Sequence, residues 1–282
     1  MNINDAGALR AWLGRQETRT EVITPAPVAG LSAALDYDAS LAVAGQALPA
    51  AWHWLYFLPL APASALDVDG HPRRGGFLPP VSLPRRMWAG SRLRWHSPVY
   101  VGDEIRRTST ISDITHKRGG SGDLVFVTVQ HQLFSGEALA LEEEQSLVYR
   151  PASVGSAAPP GRPAPAQAHW SRPIQPDPVL LFRFSALTFN AHRIHYDRDY
   201  ATRQEGYGGL VVQGPLTAIL LLDLLRRELP GEQLRSFEFR GIRPLLDTAP
   251  VQLQGRREGS TVLLWALDEA GALAMDANAR LA

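Results

Sequence analysis

The segment "GPLTAILLLDLLRREL" (214–229) constrains this chain most. Gly214 and Pro215 begin it, and proline at the first helical position is favourable because the N–H it lacks has no partner there. From Leu216 to Leu225 apolar side chains occupy almost every face of the helix. Such a helix must be enclosed by other structure. Its apolar run is broken by Asp223 and is far too short to span a bilayer. A curved antiparallel sheet is the natural enclosure.

The rest of the chain supplies strands in two sets. Residues 150–178, "RPASVGSAAPPGRPAPAQAHWSRPIQPDP", are dominated by proline and small residues, which suits an extended linker. We read three parts: 1–150, a linker over 151–178, and 179–282. Each half runs in the same order, a helix candidate and then strands. In the first half the helix candidate is "PAAWHWLYFL" (49–58), followed by "EIRRTSTISDIT", "DLVFVTVQHQLF" and "LALEEEQSLVYR". In the second half the helix is 214–229, followed by "LRSFEFRGIRPL", "APVQLQGRRE", "STVLLWALDE" and "ALAMDANARL". "LRWHSPVYVGDEI" (93–105) and "FEFRGIRPLLDTAPV" (237–251) can be overlaid as strand, proline turn, acid, strand, a weak structural repeat. The expected fold is α+β: two helix-wrapped antiparallel sheets in one chain, a double hot dog.

Composition narrows the function classes. Lys+Arg and Asp+Glu balance at 28 each over 282 residues, so neither nucleic acid nor an anionic membrane is an expected partner. Lys117 is the only lysine, and arginine suits phosphate and carboxylate recognition through its planar fork. Without cysteine there are no disulfides, thiolate metal sites or cysteine nucleophiles. The N-terminus is charged from Asp5 and lacks a signal peptide's apolar core, so a cytoplasmic location is expected. "GSGD" (120–123) and "GYGG" (206–209) follow no nucleotide-binding pattern.

"FNAHRIHYDRDYA" (189–201) concentrates polar chemistry ahead of the apolar helix. With its surroundings, "SALTFNAHRIHYDRDYATRQEGYGGLVVQGPL" (185–216), it resembles the hydratase 2 motif of MaoC-like enoyl-thioester hydratases. The resemblance extends to "GGFLPPVSLPRRMWAGSRLRWHSPVYVGDEI" (75–105) and is closer still to a two-domain branch, the mesaconyl-C(4)-CoA and itaconyl-CoA hydratases. It implies that His195 is the motif's histidine, that Gly214 is its helix-start glycine, and that Asn190 stands where an aspartate is usual. It also implies a CoA-thioester substrate, no cofactor, and chains that can assemble as homo-oligomers.

The chemistry of hydration fits these residues independently. Adding water across a C=C conjugated to a thioester needs a base for the water, a proton for the α-carbon and a stabiliser for the enolate oxygen. An imidazole such as His195 titrates near operating pH. A backbone N–H at a helix start, at Gly214 or its neighbour, presents a preorganised dipole to developing negative charge, and glycine permits close approach. An amide at Asn190 cannot accept a proton but can orient water, which leaves His195 as both base and acid. Asp197 either orients the imidazole or is solvated.

The remaining candidates concern binding. His192 is read as contacting the ligand or the chain, because two histidines without a third ligand are weak evidence for a metal, and no metal is expected. Arg193 either contacts a substrate carboxylate or faces solvent. Arg73, Arg74, Arg85 and Arg86 lie among glycines and prolines and suit CoA phosphates; Arg73 and Arg74 are the substrate-binding candidates. The leading reading is a hydro-lyase acting on an enoyl-CoA, with a branched dicarboxylic C5 acyl group as in mesaconyl-, itaconyl- or citramalyl-CoA. The alternatives are a (3R)-hydroxyacyl-thioester dehydratase of fatty-acid synthesis, a hot-dog thioesterase and an acyl-thioester-binding module. A thioesterase usually activates water with a carboxylate, which Asn190 is not.

Overall fold

The structure is a computed structural model, and it describes residues 6–37, 41–119, 122–152 and 163–282. A short helix α1 (Ala6–Arg10) precedes β1 (Gln16–Val22) and α2 (Pro25–Ala34). After a long irregular segment come β2 (Arg85–Trp95), β3 (Glu104–Gly119), β4 (Gly122–Ser135) and β5 (Ala138–Arg150). The second set is β6 (Trp170–Ile174), α3 (Pro178–Leu187), α4 (Gly214–Glu228), β7 (Leu234–Gly241), β8 (Val251–Glu258), β9 (Thr261–Leu267) and β10 (Leu273–Leu281).

The ten strands form one sheet in the order β1-β3-β4-β5-β2-β7-β10-β9-β8-β6. Every neighbouring pair is antiparallel. The order is a palindrome: β1 corresponds to β6, β3 to β8, β4 to β9, β5 to β10 and β2 to β7. The two five-strand halves meet where β2 pairs with β7, from Gly90 opposite Arg240 to Arg94 opposite Ser236. This is a double hot dog, an α+β fold.

Helix α4 behaves as its sequence requires, with every residue from Leu216 to Leu225 buried. That includes Asp223, whose carboxylate collects Arg172 (2.6 Å), Arg227 (2.8 Å), Arg226 (3.3 Å) and the Tyr37 hydroxyl. Burial alone would raise its pKa, but the hydrogen bonds from Tyr37, Arg227 and Arg172 outweigh burial and hold it lowered.

The first half differs from expectation. Residues 49–58 are not a helix: only Trp52–Leu55 form a single 3₁₀ turn, because Ala51 and Phe57 on either side have left-handed backbone (φ +66° and +55°). The helix of that half is α2, which packs on α3. Its two early prolines disguise it in the sequence, yet Pro25 sits in the first turn, where proline is tolerated. Within the expected linker 151–178, Trp170–Ile174 form β6, whose Pro173 is acceptable because β6 is an edge strand. Linker residues 153–162, and Gly120 and Ser121 of "GSGD", lie outside the described residues.

Asp223→Asn keeps the shape of the side chain but removes the anion shared by three arginines. Breaking a buried ion pair costs about 3 kcal/mol or more, and the lower end applies here because the arginines are each about a third exposed. A urea unfolding curve should show that loss; an unchanged midpoint would rule out a stabilising role for the cluster.

Candidate active site

The loop ahead of α4 is shaped by local hydrogen bonding. Asp177 caps α3 by accepting from the Leu180 N–H (2.8 Å). At the other end of α3, Phe189 turns the chain with φ +49°, and the Asn190 N–H donates to Ser185 O (2.9 Å). Asn190 Oδ1 then accepts the His192 N–H (3.1 Å), an Asx turn. Arg193–His195 complete one 3₁₀ turn. The Val211 N–H donates to Ile194 O (2.9 Å), tying this turn to the strand-like segment just before α4.

That tie sets the state of His195. Its Nδ1 lies 2.7 Å from Val211 O. A carbonyl can only accept, so Nδ1 carries the proton and Nε2 is left with a free lone pair. Burial pushes the His195 pKa down to about 4, against the Val211 hydrogen bond that raises it. His192 is pushed down to about 2, by burial first and then by His71 and His195. Both rings are therefore neutral near pH 7.

His195, Asn190, Gly214, His192, Arg73 and Arg74 all line a single cavity of about 1810 Å³. At Gly214 a Cβ would meet only Trp88 O, at 3.7 Å, so the start of α4 has open space in front of it. Gln213, the residue before α4, is buried and uses its amide nitrogen on Leu181 O and Ser185 Oγ (both 3.0 Å).

The arginines are placed differently from one another. Arg193 does not line the cavity: its guanidinium pairs with Asp197 (2.7 Å), lies over the Tyr200 ring and donates to Val68 O (3.2 Å). Asp197 is thus engaged with Arg193 and the Tyr200 N–H, and does not orient His195. Arg74 is committed to the carbonyls of Val81 (2.7 Å), Leu83 and Pro84 (2.5 Å), while Arg85 pairs with Glu205 (2.7 Å). Arg73 is exposed and bonds Leu66 O through Nε (3.3 Å).

Two cavity residues, Asp69 and His71, escaped the sequence reading, and Arg86 figures there only as suited to a CoA phosphate. Asp69, His71 and Arg86 all face the same space, and the His71 ring lies 4.1 Å from that of His192, centroid to centroid. The stretch "DGHPRRGG" shows a histidine among arginines, but nothing in it announces the distant loop it meets. Asp69, His71 and His192 bring three ligand-type atoms within 4.8 Å of one another, a spacing that could also hold a metal ion. On the far wall, Glu143 accepts from His53 (3.0 Å), Trp54 (2.9 Å) and Ser91 (2.7 Å). His53 and Trp54 of "AAWHWLYF" therefore border the cavity, whereas Trp52 is core.

A buried histidine with a bare Nε2, sharing one cavity with the open start of a helix enclosed by a hot-dog sheet, fits the MaoC-like class of thioester hydro-lyases. A family model described as hydroxyacyl-thioester dehydratase type 2 matches residues 51–247, and the chain belongs to that family. It is 48% identical to mesaconyl-C(4)-CoA hydratase of Chloroflexus aurantiacus, over 96% of this chain and 97% of that protein. It is 27% identical to the mitochondrial hydroxyacyl-thioester dehydratase type 2 of Schizosaccharomyces pombe, over 72% of this chain and 75% of that one. Among solved structures, a MaoC-like dehydratase from Phytophthora capsici superposes with a TM-score of 0.69 at 14% identity. That match covers 100% of this chain and 98% of the other, and it bears on the fold alone. Among the described residues no helix is long and apolar enough to cross a membrane.

The lowered histidines make stability depend on pH. A group whose pKa is lower folded than unfolded binds its proton preferentially in the unfolded chain, so its stabilisation is complete above about 6.5 and is lost as pH falls toward the folded value. His195 and His131, both near 4, and His192, near 2, share this sign. The melting temperature should fall as pH drops from 6.5 to 4, and His195→Gln should flatten part of that fall. A melting temperature constant over this range would contradict the buried neutral imidazoles.

Proposed function

We propose that this protein adds water to, or removes it from, the C=C of an α,β-unsaturated CoA thioester, with a branched dicarboxylic C5 acyl group of the mesaconyl or itaconyl kind as the preferred substrate. The observation that carries the reading is His195: Nδ1 is tied to Val211 O, so Nε2 faces the cavity chemistry as an unprotonated acceptor. The identity to a mesaconyl-C(4)-CoA hydratase over nearly the whole chain supports the substrate class.

In the hydration direction the water oxygen bonds to the β-carbon, the C=C electrons move toward the thioester as an enolate, and a proton reaches the α-carbon. His195, with its bare Nε2, is the acceptor toward the attacking water. The N–H at Gly214, at the positive end of α4, offers its dipole to the enolate oxygen. Asn190 has Oδ1 on the His192 N–H, which leaves its amide nitrogen to orient the water or the substrate. The first half of the chain enlarges the acyl pocket through its wall of β2 and the 53–78 segment, and the exposed Arg73 is the candidate partner of a CoA phosphate.

A substrate carboxylate buried without a counter-charge would cost several kcal/mol. Arg193 and Arg74 are otherwise engaged, which turns attention to Arg86. It lines the cavity, its charge acts on His71 and His192, and it has no ion-pair partner among the described residues. The second reading, a (3R)-hydroxyacyl-thioester dehydratase, draws support from the family model and the fission-yeast relative.

His195→Ala should lower turnover by roughly 10²–10⁴. Asn190→Ala should cost less, since orientation is lost but the imidazole stays, and His192→Ala should act mainly on KM if that ring only contacts ligand. A folded His195→Ala protein with near-normal turnover would refute the mechanism. Comparing kcat/KM for mesaconyl-CoA or itaconyl-CoA with crotonyl-CoA tests the substrate, and equal or better use of crotonyl-CoA would favour the fatty-acyl alternative. Arg86→Gln should reduce kcat/KM for the dicarboxylic substrate by roughly 10–100-fold, much more than for crotonyl-CoA. An equal loss on both would remove Arg86 from substrate discrimination.

A further inference from the structure

The loop Asp67–Pro72 belongs to the first half of the chain, yet it is docked on the 190–195 loop of the second. The Arg193 N–H donates to Asp69 O (2.9 Å), and Arg193 Nη1 donates to Val68 O (3.2 Å). Between them Gly70, with φ +90°, lies so close that a Cβ there would sit 1.8 Å from Ala191 O. Only glycine permits that contact. The docking places a carboxylate–imidazole pair beside the cavity histidines. Asp69 Oδ2 is 3.0 Å from His71 Nδ1, and Asp69 Oδ1 accepts the His71 N–H at 2.9 Å. An Nδ1–H held by a carboxylate leaves Nε2 as the acceptor. From there the rings continue: His71 to His192 at 4.1 Å between centroids, His192 to His195 at 5.3 Å.

We propose that Asp69 and His71 supply the acid–base pair that Asn190 cannot: His71 Nε2 receives the proton of the attacking water and returns it to the α-carbon, while His195 Nε2 accepts a hydrogen bond from the other hydrogen of that water. This rests on the hydratase reading given above. As the water oxygen bonds to the β-carbon, one O–H bond breaks and its proton goes to His71, while the C=C pair becomes the enolate. The proton then leaves His71 Nε2 for the α-carbon, and that N–H bond breaks as the enolate pair forms the new C–H bond there. All three rings end neutral, as they began, and no co-reactant is needed.

Charging a buried imidazole is costly unless an anion stands next to it. Neither His192 nor His195 is hydrogen-bonded to a carboxylate, whereas His71 is. Both Asp69 oxygens face His71, Oδ2 at 3.0 Å from Nδ1 and Oδ1 on its N–H at 2.9 Å, so a carboxylate stands beside the imidazole that takes up the proton. The first half thus takes part in the chemistry as well as widening the acyl pocket. His71 is the catalytic residue there and Asp69 its positioning partner.

The test is steady-state hydration of an enoyl-CoA that the wild-type protein turns over, using Asp69→Asn, Asp69→Glu, His71→Gln and His71→Ala. Asp69→Asn keeps an oxygen for the His71 Nδ1–H and removes only the charge, so it carries the test even where His71→Gln folds poorly. The expected result is a kcat lower by about 10² or more for Asp69→Asn and His71→Gln with KM near wild type, partial recovery in Asp69→Glu, and partial rescue of His71→Ala by added imidazole. Wild-type activity should survive EDTA. A folded Asp69→Asn or His71→Gln protein with kcat within about threefold of wild type overturns the assignment. So does a stoichiometric metal ion on this cluster whose removal abolishes activity. A wild-type protein inactive on every enoyl-CoA instead overturns the hydratase reading, and this assignment with it.

Discussion

At the middle of the sheet the backbones of β2 and β7 come so close that a Cβ on Gly90 would lie 2.2 Å from Phe239 O. This pairing joins two five-stranded halves into one ten-stranded sheet, and each half loses the edge it would otherwise expose. It also sets what faces what. Loops from the first half meet the start of α4 from the second, and the cavity between them is lined by both. Had the halves been joined through another pair of strands, loop 67–72 and loop 190–195 would not meet.

The cavity's electrostatics follow from that enclosure. Three imidazoles are withdrawn from water, and burial holds each below its ordinary proton affinity. A site built this way has neutral acceptors at working pH, and the carboxylate beside them is Asp69, which like His71 belongs to the first half of the chain. The arginines around it are mostly spent on structure: Arg74 braces the 81–84 segment, Arg85 holds Glu205, and Arg193 links Asp197 to the docked loop. Arg86 faces the Tyr149 hydroxyl and pairs with no carboxylate among the described residues.

Much of the fold was legible because its signals are local. The strand blocks alternate with period two, and the all-round apolar helix at 216–225 could only be interior. The misreadings have local causes too. "PAAWHWLYFL" has a helix's hydrophobicity, but Ala51 and Phe57 adopt left-handed backbone that no propensity scale reveals. Helix α2 carries prolines that look like breakers and sit instead at a helix start. Strand β6 lies in a proline-rich stretch and exists because the β8 edge was there to receive it.

The site divides along the same line. By itself the sequence determined a hot-dog pair, a histidine five residues after an amide, and a glycine at the head of an enclosed helix, because these are near neighbours in the chain and their spacing carries meaning. Only the tertiary structure decided which nitrogen of His195 is free, since that depends on Val211 O across a loop. It alone decided that Arg193 is turned away and that Asp69 and His71 come close to His192. Those contacts join residues far apart in sequence through the packing of two halves on one sheet, and no local pattern of residues encodes a distance of that kind.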